Sequence, residues 1–280
     1  MSETGGTIGT VVALWRYPVK SMMGEELNAS YADANGLVGD RAYALVDRET
    51  GKVASAKNPK KWPNLFDFRA SYVEPPAEGR NLPPLRITLP DGTVVRSDQQ
   101  GTDGILSRAV GREVTLAASA PASAGLEEYW PEVEGLARQN EVTDEAMPPG
   151  LFFDSAPVHV LTTATMDRLR AAYPQGRFEV RRFRPNVVVT TDGTGAGFVE
   201  NAWVGGTVGL GQSVLIEVGS PCPRCVMTTL AQGDLPHDLG ILRAAAQHNQ
   251  ANVGIYAKVS RGGWIRRGDA VTLAAAAAVA

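Results

Sequence analysis

The sequence predicts a mainly β fold, a β-barrel architecture with a few packed helices. Three observations carry that expectation. Short segments rich in β-branched and aromatic residues outnumber segments of helical period, they are punctuated by glycine and by tight-turn pairs, and strands and helices do not alternate in the rhythm of a parallel α/β sheet. At 280 residues the chain exceeds the usual size of one hydrophobic core, so two domains are expected.

In chain order, Thr7 to Tyr17 reads as a strand stopped by Pro18, followed by a loop carrying Val19, Lys20 and Ser21. Ala42 to Asp47 and Lys52 to Ala56 flank a four-residue turn, and Leu85 to Leu89 and Thr93 to Arg96 flank Pro90-Asp91-Gly92, so two hairpins are expected. Helices are expected over Asp103 to Val110 with Thr102 as cap and Gly111 past the end, over Met166 to Ala172 with Thr165 as cap, and over Asp238 to His248. Further strands read at Val158 to Leu161, Asn186 to Thr191, Ser213 to Val218, Val253 to Val259 and Ala270 to Leu273. Between Ala117 and Gly150 alanine, proline and acidic residues cluster without periodicity, which marks a loop-like domain junction. The expected domains are therefore 1–117 and 118–280, with the first strand packing against the second domain. The alanine-rich stretch from Ala274 to Ala280 reads as a frayed tail.

Composition narrows the function. Lys and Arg number 27 against 30 Asp and Glu, for a net charge of -3, and this supplies no global field for nucleic acid or an anionic membrane. Hydrophobic residues at 44% with 20% charged are ordinary for a soluble protein, and neither a signal peptide nor a membrane-spanning run is seen. Two cysteines three positions apart exclude a secreted disulfide framework and suit a reducing compartment.

Those cysteines lie on a proline-stiffened loop, Pro221-Cys222-Pro223-Arg224-Cys225-Val226-Met227-Thr228-Thr229. Structural zinc would need more ligands than His159, His237 and His248 offer at their spacings. A dithiol redox pair would need a helix after the second thiol, where the residues read as extended. Inert buried thiols and a soft metal ligand are the other readings, the last favoured by Arg224, which would stabilise a thiolate at Cys225. Arg181-Arg182-Phe183-Arg184-Pro185-Asn186 reads as extended, with Arg182 and Arg184 on one side as forks for phosphate, or else as a solvated charge run. Lys20, Ser21 and Arg41 offer further anion contacts, though a turn lysine is ordinarily just solvated.

Taken together, Tyr17-Pro18-Val19-Lys20-Ser21, Gly39-Asp40-Arg41, Arg182-Phe183-Arg184-Pro185-Asn186 and Cys222 to Thr229 resemble the MOSC superfamily, in its branch with an amino-terminal MOSC β-barrel and amidoxime-reducing activity. The resemblance spans about Thr7 to Leu273. It implies a molybdenum cofactor of the molybdopterin type, with Cys225 as the protein ligand to the metal. It also implies that Lys20, Ser21, Arg41, Arg184 and Arg224 hold the pterin and its phosphate, with Asp154, Ser155, Pro223 and Tyr256 in the lining and Asp154 as a candidate for proton delivery. The implied activity is reduction of small N-hydroxylated compounds, in the cytoplasm, with electrons from a separate ferredoxin, flavodoxin or cytochrome b5-like partner, because no anchor or cluster-binding extension reads in this chain. A sulfur or cofactor carrier using a Cys225 persulfide, and a non-catalytic ligand-binding barrel, are the alternatives.

Overall fold

The computed structural model describes residues 6–120, 124–148, 150, 152–191 and 197–273, so the alanine-rich tail and part of the expected junction lie outside the described residues. Seven strands close into a barrel: β1 (Thr7–Arg16), β2 (Val158–Thr162), β3 (Val187–Thr191), β4 (Thr207–Leu210), β5 (Val214–Pro223), β6 (Asn252–Arg261) and β7 (Ala270–Leu273). Around the barrel the order is β1, β3, β2, β6, β5, β4, β7 and back to β1, antiparallel except for β2 against β3. Inward side chains alternate along each strand as the two-residue period requires. Val11, Leu14, Val160, Val189, Val208, Ile216, Ile255 and Val271 fill the interior.

The first strand therefore belongs to the carboxy-terminal barrel, where Val11 pairs with Val189 and Thr10 with Ala270. Helices α1 (Thr102–Val110), α2 (Thr163–Ala172), α3 (Val180–Phe183) and α4 (Leu239–Asn249) complete the regular structure, with α2 and α4 covering the outer faces of β2 and β6 through Leu161, Leu169, Ile241 and Val253. Asp238 caps α4 by accepting from the Gly240 amide at 2.8 Å.

A second core forms in the amino-terminal half around Met22, Trp62, Phe66, Phe68, Leu85, Ile87 and Leu106, enclosed by the sheets Arg69–Tyr72/Leu85–Thr88/Val94–Arg96 and Ala44–Asp47/Val114–Ala117. Met227, from the loop after the cysteine pair, is buried in this core and not in the barrel.

Several local expectations change. Ala44–Asp47 takes Val114–Ala117 as its strand partner, and the segment after the turn contributes only a bridge, Val46 to Val53. Thr102 lies inside α1 and its hydroxyl donates back to the Arg96 and Gln99 carbonyls, while Thr162 rather than Thr165 caps α2. The supposed loop between 117 and 150 holds a hairpin, Gly125–Trp130 with Glu141–Ala146, whose acidic residues masked its alternation.

Gly254 is required where β6 crosses β2. Its φ is +81°, and a Cβ there would collide with the His159 imidazole and the Val160 carbonyl. Gly254→Ala is expected to lower the thermal midpoint by roughly 5 °C or more; a midpoint equal to wild type in a calorimetric scan would refute this close approach.

Candidate functional site

The chain leaves β1 at Tyr17, and the next five residues run along the seam between the barrel and the amino-terminal core. Tyr17 donates its amide to Asp40 Oδ1 at 2.7 Å, Arg41 donates its amide to the Tyr17 carbonyl at 2.8 Å, and Lys20 donates its amide to Tyr43 O at 2.8 Å. These bonds fix the Tyr-Pro-Val-Lys-Ser and Gly-Asp-Arg segments to each other. Ser21, Arg41 and Arg184 have φ of 62°, 47° and 54°, so three of the six left-handed non-glycine residues among the described residues sit at this one place. Such strain persists only where surrounding contacts enforce it, and it concentrates at functional sites.

The arginine-rich segment is a helical turn, α3, rather than extended, and this separates its side chains. Arg182 is fully buried and donates to the carbonyls of Arg177, Thr228, Leu230 and Pro236, so it clamps the segment that follows Cys225. Arg184 turns the opposite way. Its guanidinium lies 4.1 Å from the Tyr17 ring centroid and donates to Met22 O at 2.7 Å, while Arg41 covers the same ring at 4.5 Å. Arg41 also pairs with Asp40, whose Oδ2 accepts from Asn186 Nδ2 at 3.0 Å.

Residues 226–229, read as extended in the sequence, form a 3₁₀ turn with Cys225 at its amino-terminal boundary. Arg224 bonds the other cysteine and acts on Cys225 only through its charge. Its Nη1 donates to Cys222 Sγ at 2.7 Å and its Nη2 to Phe183 O at 3.1 Å. Burial alone would raise the Cys222 thiol, but Arg224, with His159 and Tyr256, draws it down to about 6. Burial and the Glu128 carboxylate push Cys225 up to about 11 against the pull of Lys57 and Arg224. The two thiols thus sit in opposite surroundings: Arg224 draws Cys222 toward the thiolate, while burial beside Glu128 favours the thiol form of Cys225, which faces the cleft.

Lys20, Ser21, Arg41, Asp154, Arg184, Pro223, Arg224, Cys225 and Tyr256 line a single cleft of about 670 Å³, its mouth included. Ser155 does not; it faces a neighbouring groove. Lys57, Phe152, His159 and Asn186 also line the cleft and were not expected there from the sequence, where His159 was weighed only as a zinc ligand. Asn186 stood inside a quoted motif, whereas Lys57 was hidden in a lysine-rich run whose members look alike.

Lys20 donates to Asp154 Oδ1 at 2.6 Å and to Phe152 O at 3.0 Å, and Lys57 lies 3.8 Å from Asp154. Desolvation would raise the Asp154 carboxyl, yet Lys20, Lys57 and Arg41 together hold it well below the usual carboxylate range, so it is ionised near neutrality and stores no proton. Desolvation lowers Lys20 in spite of Asp154. Burial, with Arg41 beside it, lowers Arg184 to about 10. Lys20, Lys57, Arg41, Arg184 and Arg224 thus stand against the Asp40, Asp154 and Glu128 carboxylates and the Cys222 sulfur, leaving positive charge in excess. The Tyr17 hydroxyl and Arg224 Nε are buried with no partner among the described residues. The donor set fits an anionic ligand that also offers acceptors. No three His, Cys, Asp or Glu side chains gather among the described residues, so a metal here would find one protein thiolate and take its other ligands from the group that carries it.

Two family descriptions match the chain: the MOSC N-terminal beta barrel domain over residues 8–109 and the MOSC domain over residues 148–272. Among curated proteins it is similar to mitochondrial amidoxime reducing component 2 of Rattus norvegicus, 24% identical over 233 residues, and to that of Bos taurus, 28% identical over 247 residues. In each case the match covers 80% of this chain and 67% of the relative. A crystal structure of the YUAD protein from Bacillus subtilis aligns over 94% of this chain and 93% of that one, at 10% identity and a TM-score of 0.46.

A depressed carboxylate contributes stability that is fully present above its unfolded value, near pH 4, and is lost as pH falls toward the folded value. Asp154→Asn is therefore expected to destabilise the protein by roughly 2 kcal/mol at pH 7, discounted for the third of the side chain that meets solvent. The gap to wild type should hold from pH 8 to pH 5 and narrow below pH 4. Urea melts at those values check it, and a gap that widens in acid would refute the pairing.

Proposed function

This chain belongs to the MOSC superfamily, and from that premise we propose that it is a molybdenum-cofactor enzyme that reduces N-hydroxylated compounds, with Cys225 as the protein ligand to the metal. The observation that carries the reading is the convergence of Lys20, Arg41, Arg184 and Arg224 with the Cys225 thiol on one cleft. The names of the amidoxime-reducing relatives supply the reaction class.

When bound, a pyranopterin-held molybdenum would supply two-electron chemistry at an N–O bond, with its dithiolene sulfurs as further metal ligands. This chain's residues do the rest. Arg184, Arg41 and Arg224 would hold the phosphate and the polar edge of the pterin, while Lys20 and Ser21 line its seat and Pro223 and Tyr256 shape the walls. Cys225 would hold the metal as a thiolate, the metal's charge outweighing the burial and the Glu128 carboxylate that favour the thiol. Asp154, held ionised, orients Lys20 and Lys57; Lys20, whose ammonium is lowered by burial, would be the one to give up a proton toward the departing oxygen, whereas Lys57 is held protonated by the carboxylates beside it and would act as a fixed charge. In the overall reaction two electrons and two protons enter and the N–O bond breaks; the oxygen leaves as water with its own hydrogen and one of the protons, and the other proton goes to nitrogen. A separate electron-donor protein of the ferredoxin, flavodoxin or cytochrome b5 type would return the electrons. No helix among the described residues is long and apolar enough to cross a membrane, and we take the cytoplasm as the compartment.

Expression in a cofactor-competent host is expected to give near-stoichiometric molybdenum and pterin, and anaerobic reduction of benzamidoxime with a chemical reductant. Cys225→Ala should abolish turnover, and Arg184→Met should weaken cofactor retention roughly 10- to 100-fold. Full activity in Cys225→Ala would overturn the ligand assignment. Metal-free protein carrying one extra sulfur on Cys225 by mass spectrometry would replace the reductase with a sulfur carrier.

A further inference from the structure

A second groove opens beside the cleft and shares two lining residues with it, Ala156 and Tyr256. Its open volume is about 970 Å³ with the solvent side included, within the range of small-molecule sites. The floor is the outer face of β4, β5 and β6, where Thr207 pairs with Glu217 and Glu217 with Lys258.

Gly219 is central to this floor. Its φ is not in the left-handed region, and a Cβ there would meet nothing nearer than the Tyr256 carbonyl at 3.9 Å. Neither backbone strain nor packing therefore calls for glycine, and what the missing side chain does is leave sheet peptide bare at the groove floor. Bare peptide planes accept a flat body at van der Waals distance, and the Tyr256 ring at the junction offers an aromatic edge or face to the same body.

The polar groups are of a different sort from those in the cleft. Ser155, Thr207 and Ser220 offer neutral hydroxyls, and Glu217 and Lys258 bring one charge of each sign, neither of them engaged in an ion pair among the described residues. The cleft with its excess of cations suits an anion, whereas this groove asks for no net charge. A phosphate-bearing extension of a cofactor would find one ammonium here with a carboxylate beside it, which is poor recognition of a dianion.

We propose that this groove seats the non-reacting body of the substrate, and that the body is a flat, uncharged aromatic or heteroaromatic ring whose N-hydroxylated end passes Ala156 and Tyr256 to reach the cleft. The proposal rests on the reductase reading for the identity of the reacting end, and it makes Gly219 a specificity-determining residue.

The test uses the cofactor-loaded protein and two substrates, benzamidoxime, which has an aryl body, and hydroxylamine, which has none. Gly219→Leu is expected to raise KM for benzamidoxime about tenfold or more, with KM and kcat for hydroxylamine and the molybdenum and pterin content as in wild type. Gly219→Ala, which adds one carbon into open space, should give a smaller rise in the same direction and guards against a folding defect in the larger variant. Equal changes for both substrates, no change for either, or loss of pterin in Gly219→Leu overturn the groove assignment. If wild type reduces neither substrate, the reductase reading fails by itself. Binding of benzamidoxime to the loaded wild type, followed by NMR line broadening and weakened in Gly219→Leu, then still upholds the groove, and unweakened binding overturns it.

Discussion

The cleft depends on how a cluster of guanidinium groups is kept out of water without repelling itself apart. Arg41 and Arg184 approach the ring of Tyr17 at 4.5 and 4.1 Å, and Arg184 is 5% exposed. Two like charges so close in a medium of low dielectric are costly unless something of opposite sign is fixed among them. Asp40, itself 1% exposed, is that group. One oxygen takes the Tyr17 amide, and the other takes Arg41 and Asn186. A single carboxylate thereby ties together three segments that are distant in sequence, and the ring between the arginines supplies a π-face to each of them.

The same logic governs the thiols. Arg224 is spent on Cys222 and on the Phe183 carbonyl, which fixes the turn in which Cys225 is presented. From behind, Arg182 satisfies the carbonyls that a 3₁₀ turn and the irregular segment after it leave open. Met227 then anchors the turn in the amino-terminal core. Cys225 is held from three sides while its sulfur faces the cleft, and the preorganisation is made by backbone acceptors more than by side-chain pairs.

Much of this was legible beforehand, for identifiable reasons. The barrel strands are short runs of β-branched residues bounded by glycine, and Pro90-Asp91-Gly92 turns the hairpin that its chemistry requires. Residues that reach the cleft sit in four ordered motifs, so Lys20, Arg41, Arg184 and Cys225 could be named. What failed was direction. Proline after Arg184 argued for extended backbone, but Arg184 takes the left-handed conformation and lets α3 form one turn before it, which sends Arg182 and Arg184 to opposite sides. Adjacency of Arg224 and Cys225 in sequence says nothing about which sulfur the guanidinium meets, since alternate residues on an extended strand end share a face. Ser155 turned to the groove for the same reason: one residue beyond Asp154, it points elsewhere. The hairpin from Gly125 to Ala146 was missed because acids on both of its faces, paired with Lys52, Lys57 and Lys61, outnumber the one apolar side chain, Leu126, that it buries against Ala44, Val53 and Phe152.

The position of β1 has a consequence for how the molecule comes into being. Its two neighbours in the barrel, β3 and β7, lie far along the chain, with residue 10 alongside residues 190 and 270. During synthesis only Leu14 to Arg16 find a local partner, in residues 25–27, while the rest of the strand waits for residues far along the chain and its edge is open to wrong partners in the meantime. Closing a loop over such a span carries a large entropic cost, so the topology places the pairing of residue 10 with residue 270 late in assembly. A nascent chain stalled before its final strands would display that edge, and with it the binding signature of a chaperone client.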